Sequence, residues 1–244
     1  PFIGQVSNSD QWPQYEEPFY LYSRMKDLFN VTDLSTSVSS IPDNIDQLLV
    51  IHPKNLPDET LYAIDQFIMS GKGVIVFVDP FSEYEQNKSL ATTQEVNIPS
   101  SNLERLFNSW GITVKPGMII GDIVNGRKVS LGSPNNQKIV TYLIWLAIQN
   151  ENLSKDDIVT TNLDYIFIKS AGSIENLNTN KTLTVEPLVT TSIDSMLIER
   201  FKMQFRADPE ELLKNFSSQN KSFIIGARIK GNFNSAFTLE DIKN

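Results

Sequence analysis

Residues 48–80 read LLVIHPKNLPDETLYAIDQFIMSGKGVIVFVDP. Leu48, Leu49, Val50 and Ile51 form a short apolar run of the kind that makes a strand buried on both faces. Pro57 stands where the first turn of a helix tolerates proline. Asp58 and Glu59 then place negative charge at the positive end of the helix dipole. Leu61, Ile64 and Ile68 recur at helical spacing, and Phe67 widens the stripe. Gly71 is placed to end the helix in a left-handed conformation. Val74 to Val78 is a second β-branched run, closed by Asp79-Pro80. The spacing predicts strands 48–51 and 74–78 lying parallel, joined by helix 58–70 in a right-handed crossover. Extended to the whole chain, this unit predicts an α/β fold: a mainly parallel, Rossmann-like sheet flanked by helices. His52 and Asp79 fall at the carboxyl ends of the two strands, where open α/β sheets bind ligands. With Phe81 and Ser82 they form the candidate ligand-binding set, and the polar stretch 81–99 is the expected lid loop.

Outward from this unit the pattern weakens. Phe2-Ile3-Gly4 resembles a strand remnant, Tyr20 to Phe29 carries a helical stripe, and Val31 to Leu34 reads as a short strand. Ser100 or Ser101 is a candidate cap for a helix bearing Leu103, Leu106, Phe107 and Trp110 and ending at Gly111. Met118-Ile119-Ile120 reads as a strand. Tyr142 to Ile148 is apolar enough for a buried strand or a short helix, which periodicity alone does not separate. In the last third, 166–168, 182–189 and 223–229 read as strands. Asp208-Pro209-Glu210-Glu211 has the form of a helix start. We expect an α/β core over 1–150 and a strand-rich part over 151–244 packed on the same domain.

The chain has 244 residues, with 21 Lys and Arg against 29 Asp and Glu, a net charge of −8. That balance, with no basic cluster, argues against nucleic acid as a partner, because such binding depends on phosphate neutralisation. The most apolar run, Tyr142 to Ile148, is far short of the roughly 20 residues that span a bilayer. There is no Cys and only one His. Disulfides, thiolate metal sites and Cys nucleophiles are therefore excluded. A multi-His metal site is excluded too, and a Ser–His–acid triad has only His52 to use. His52 also reads as a plain cap on a strand end, and Asp79 as the acceptor for a turn's amides. Asp79, Glu83 and Glu85 form an acidic cluster without the spacing of a calcium loop. Trp12, beside Pro13, is the most exposed tryptophan expected, while Trp110 and Trp145 read as core. G-x-S-x-G, P-loop and G-x-G-x-x-G motifs are all missing. No catalytic residue, metal or cofactor is expected.

HPKNLPDETLYAIDQFIMSGKGVIVFVDPFSE (residues 52–83) resembles the core signature of the auxiliary component of gliding-motility-type ABC transport systems. A di-glycine usual before the second strand is here Gly71-Lys72-Gly73. NLERLFNSWGITVKPGMIIGD (102–122), NLSKDDIVTTNLDYIFIKSAGSIE (152–175), EPLVTTS (186–192), DPEELL (208–213) and GARIKGNFNSAF (226–237) follow in the family's order. EEPFYLYSRMKDLFNV resembles its first helix and strand. The resemblance implies a bacterial, membrane-anchored protein whose extracytoplasmic (periplasmic) region has a glutamine-amidotransferase-like α/β fold without catalytic residues. It implies an ABC permease and its ATPase as partners, with the membrane reached through segments absent from this chain. Three expectations compete: a non-enzymatic accessory acting by protein association, a module binding a glycan or peptide at the strand ends, and a hydrolase on an unusual site.

Overall fold

A computed structural model of the chain describes residues 20–92, 100–177, 181–203, 207–238 and 240–241. The expected strand remnant at 2–4, Trp12 and the end of the expected lid loop lie outside these residues. The strand–helix–strand order of residues 48–80 forms, with its two strands parallel. Strand β1 (Gln47–Ile51), helix α2 (Asp58–Met69) and strand β2 (Gly73–Phe77) follow helix α1 (Tyr20–Leu28). β1 and β2 are parallel neighbours in register from Gln47↔Gly73 to Ile51↔Phe77. Gly71 sits at φ 86°, just past the end of α2, as its position in the sequence predicts.

The mainly parallel Rossmann-like sheet does not form. β1–β2 is the only parallel sheet among the described residues, and it has two strands. The remaining strands are β3 (Ile112–Val114), β4 (Met118–Asp122), β5 (Gly126–Ser133), β6 (Asn136–Gln149), β7 (Tyr165–Lys169), β8 (Ile174–Asn176), β9 (Leu183–Thr190), β10 (Ser195–Glu199) and β11 (Ile224–Gly231). They pair antiparallel, in the orders β10-β4, β3-β8-β11-β9 and β5-β6-β7. Chain length between strands decides one of these pairs, β5 with β6. A parallel pair needs a crossover of about a dozen residues or more. Pro134-Asn135 alone turn β5 into β6. A two-residue link reverses the chain and cannot return it to a parallel neighbour.

Other local readings divide. The apolar run 142–148 is strand, inside the long β6. The stretch 81–99 is not simply a loop, because helix α3 occupies Glu83–Thr92. Residues 31–34 form no strand, and α1 buries none of its residues. Among the described residues the parallel pair is covered on one face only. Val74 and Val76 turn toward α2, while Ile75 and Phe77 are 51% and 55% exposed, against the expectation of burial on both faces.

One apolar cluster joins α2 (Ile64, Phe67), β1 (Leu48), helix α4 (Glu104–Ser109) through Leu106 and Phe107, and β3 (Ile112, Val114). Val185 of β9, Ile229 of β11 and Phe233 pack against it, so the parallel unit and the four-stranded antiparallel sheet share a core. Asp65, fully buried on α2, accepts from the Ser235 hydroxyl at 2.7 Å and the Ala236 amide at 2.8 Å, strapping the segment after β11 onto the helix. Two further clusters lie under β6. One includes Leu143, Ile144 and Leu212 of helix α5 (Pro209–Lys214), which Asp208 caps by accepting the Glu210 amide. The other includes Leu146, Ile148 and Phe223. Arg228 on β11 holds Asp157 with two bonds, and this keeps the Asp157 carboxyl down at about 2. Replacing Ile64 with Asp buries an unpaired carboxylate in the shared core. We expect a loss of about 3 kcal/mol or more in a urea melt; an unchanged midpoint would place the apolar face of α2 elsewhere.

Candidate functional site

β1 and β2 end side by side, and the residues that follow them converge. The amide of His52 donates to the carbonyl of Phe77 at 2.8 Å, the last tie of the pair. His52 itself sits at φ 48°, a left-handed conformation that costs a non-glycine residue energy. That turn throws the imidazole across the strand ends. Its Nδ1 lies 2.9 Å from the Ser101 Oγ and its Nε2 3.3 Å from Glu85 Oε2. The Asp79 amide donates to the same Ser101 Oγ at 2.7 Å, and the Ser101 amide to the Asp79 carbonyl at 2.9 Å. Of the two acceptors in reach of the serine hydroxyl, Nδ1 at 2.9 Å is much nearer than the Asp79 carbonyl at 3.5 Å, and the hydroxyl donates to Nδ1. We assign the Nε2–H tautomer accordingly, with the ring donating to Glu85.

α3 begins with Ser82-Glu83-Tyr84-Glu85. Ser82 Oγ accepts the Glu85 amide at 3.3 Å, half of a capping box. The Glu85 carboxylate reaches not back to Ser82 but out to His52 and to Lys54, whose Nζ is 2.6 Å away. Burial alone would raise its pKa; the bonds from Lys54 and His52 outweigh it and hold the group below its ordinary value. Glu83 faces the other way. It accepts the Trp145 indole N–H at 3.0 and 3.1 Å and the hydroxyl of Ser170, a buried residue at φ 50° just past β7. Tyr142 beside it is pushed up to about 12, by burial first and by the Glu83 charge second. The first turn of α3 is therefore bolted on one side to the parallel pair and on the other to the β5-β6-β7 sheet.

The four sequence candidates do come together here, in distinct roles. His52 is half-buried and doubly bonded. Asp79 turns inward, its Oδ1 accepting the Phe81 amide at 2.9 Å. Burial raises its pKa; the Phe81 amide and His52 partly offset this, and the Glu83 and Glu85 charges add to it. Phe81 is buried in the core beneath β6, and Ser82 is buried at the head of α3. Ser101, read from sequence as a helix cap, instead forms the pin between His52 and Asp79, and Leu103 takes the cap position of α4. Only its placement across a chain reversal brings Ser101 here, and no local pattern announces it.

Ser101, His52 and Glu85 reproduce the proton order of a hydrolase triad, with hydroxyl to imidazole to carboxylate. The surroundings differ from one. Ser101 is 5% exposed, and its oxygen already accepts the Asp79 amide. An attacking oxygen needs an open face toward substrate and separate donors for the oxyanion. Among the described residues, no group of three or more His, Asp or Glu is arranged to hold a metal ion. A depression of about 300 Å³ lies elsewhere, between the end of α2 and the end of β11, lined by Ile68, Met69, Lys72 and Phe233.

A sequence model of the family described as an ABC-type uncharacterized transport system, an auxiliary ABC transport component, matches residues 2–243. The chain belongs to this family. No curated protein and no solved structure matches it. Membership associates this auxiliary component with an ABC transport system, a membrane-associated assembly. Among the described residues, no helix is long and apolar enough to cross a membrane.

Two substitutions test how the strand ends are held. His52→Ala leaves the buried Ser101 hydroxyl only the Asp79 carbonyl, 3.5 Å away, as an acceptor, and we expect a cost of about 1 kcal/mol in chemical denaturation. A variant as stable as the parent would free the imidazole for a ligand-binding role. Asp79→Asn keeps the acceptor for the Phe81 amide and removes the buried charge. A carboxyl whose pKa is raised on folding destabilises the folded state when ionised. This cost is fully present above the folded pKa and is relieved as pH falls through it. The variant should therefore melt higher than the parent at neutral pH, with the advantage vanishing in acid; an equal difference at both would exclude Asp79 as its source.

Proposed function

We propose that this chain is the working part of a non-enzymatic accessory subunit of an ABC transport system, acting by association with the permease and ATPase subunits. We place it at the extracytoplasmic face of a bacterial inner membrane, anchored through other parts of its polypeptide. The observation that carries this reading is the family match over residues 2–243. The geometry supports it. The polar groups at the strand ends are taken up by one another: Ser101 by His52 and Asp79, Glu85 by His52 and Lys54, Glu83 by Trp145 and Ser170. A junction of that kind fixes the relation between two sheets and spends its donors and acceptors on rigidity. The chain also has no P-loop, so the nucleotide chemistry of transport falls to another subunit.

Weak binding by the isolated chain is part of the proposal, because a shared membrane raises the effective concentration of subunits that meet there. Full-length protein extracted gently from its native membrane should bring down an ABC permease and ATPase, identified by mass spectrometry. Recovery of neither would count against the association. Turnover of an ester, glycoside or nucleotide by the purified chain, abolished by Ser101→Ala in a folded variant, would overturn the non-enzymatic part.

A further inference from the structure

Strands β5, β6 and β7 carry Arg127, Lys128, Lys138 and Lys169 and no Asp or Glu, in a chain whose net charge is −8. Lys138 pairs with Glu210 at 2.8 Å. Arg127, Lys128 and Lys169 make no ion pair among the described residues. Two of them rest on aromatic rings instead. The Arg127 guanidinium lies 4.8 Å from the centre of the Phe167 ring, and the Lys169 ammonium 4.2 Å from that of Trp145. Tyr165 and Phe167, alternating with Lys169 along β7, are 54% and 56% exposed and meet edge to face with centroids 5.0 Å apart. One face of this sheet thus presents aromatic rings together with cations that make no ion pair among the described residues.

β7 is also an outer strand, and among the described residues one row of its backbone groups is open. The Ser170 amide donates to the Ile144 carbonyl at 2.9 Å, which marks Ser170 and Ile144 as a hydrogen-bonded pair. Antiparallel ladders alternate. In the register Ile168↔Leu146 and Ile166↔Ile148, the isoleucines then bond to β6, while the N–H and C=O groups of Tyr165, Phe167 and Lys169 point away from the sheet. Those outward groups have no partner among the described residues. Edge strands are ordinarily blunted by a bulge, a proline or a covering element. β7 has no proline and pairs with β6 without a register shift.

We propose that β7 receives an extended acidic segment of a partner protein as a fourth strand of this sheet. The open row of amides and carbonyls calls for a polypeptide. The unpaired cations call for carboxylates, and the exposed rings for apolar side chains between them. A second copy of the chain fits less well, because pairing β7 with itself sets two acid-free cationic sheets edge to edge. The proposal rests on the association reading above and adds to it a surface and a partner chemistry.

The test uses a fluorescein-labelled peptide of about nine residues alternating Val and Glu, near the usual length of a strand. Fluorescence anisotropy should show binding that weakens with salt. The Arg127→Glu/Lys169→Glu variant, melting like the parent, should bind at least about tenfold more weakly, because two attractive charge pairs become repulsive. Methylating alternate peptide nitrogens, or replacing Glu with Lys, should abolish binding. Amide exchange at Tyr165, Phe167 and Lys169 should slow in the complex. No binding up to about 1 mM peptide, the weak limit of useful affinity, would overturn the proposal. So would binding that ignores N-methylation and the charge variant. A dimer in sedimentation without peptide, dispersed by Phe167→Lys, would assign the edge to a second copy and overturn it as well. If full-length protein still recovers the permease and ATPase while the peptide fails, only the β7 assignment falls. If the peptide binds and the transporter is not recovered, the transporter association falls.

Discussion

A single buried carboxylate stands where the sheets meet. Asp122, at the end of β4, is fully buried and accepts five hydrogen bonds: from the amides of Val124, Asn125 and Ser192, the Asn125 side chain and the Ser192 hydroxyl. An ionised carboxylate removed from water is tolerated only when its lone pairs are met in this way. The donors come from two stretches of the chain, residues 124–125 and Ser192. Asn125 passes the constraint on: its carbonyl takes the Ala147 amide of β6, and its side chain reaches Asn152. Asn152 in turn bonds the Thr191 carbonyl at the end of β9. Three separate antiparallel groupings are set against one another by this short network.

Asp65 does the equivalent work for the parallel unit. It lies on the buried side of α2 and takes donors from Ser235 and Ala236, more than 160 residues later in the chain. The shared apolar cluster supplies most of the driving force, but burial is non-directional. The two aspartates add direction, because a buried acceptor deprived of its donor carries the whole cost of its removal from water. The α3 glutamates close the third junction, between the parallel pair and β6–β7. Two left-handed residues, His52 and Ser170, stand at that junction, one on each side. Strain of this kind persists where the surroundings over-determine a conformation, and here the surroundings are the paired glutamates.

This division explains why the strand ends and the proposed docking edge differ in character. At the strand ends every conspicuous polar group has an internal partner, so the region is spent on architecture. On β7 the reverse holds: the backbone groups that face outward are unmet among the described residues, and Arg127 and Lys169 rest on rings rather than on acids. Unmet directional groups are what a partner can recognise, and in an accessory subunit they matter more than a crevice.

The sequence by itself determined the local unit of residues 48–80, because strand, helix and left-handed stop are set by periodicity, proline and glycine within a few residues of one another. It also determined the absence of thiol and multi-histidine chemistry, and the order of motifs that marks the family. The Pro134-Asn135 turn carries a local signal that β5 and β6 run antiparallel, which the βαβ pattern of residues 48–80 does not extend to. Tertiary structure alone decided the pairing of Ser101 with His52, the burial of Asp65 and Asp122, and the open edge of β7. Each of these depends on donors or neighbours supplied from far along the chain. Hydrogen bonds between distant residues leave no periodic trace in sequence. A side chain's neighbours are fixed only when the core closes, and the chain's own composition does not say which edge will be left without one.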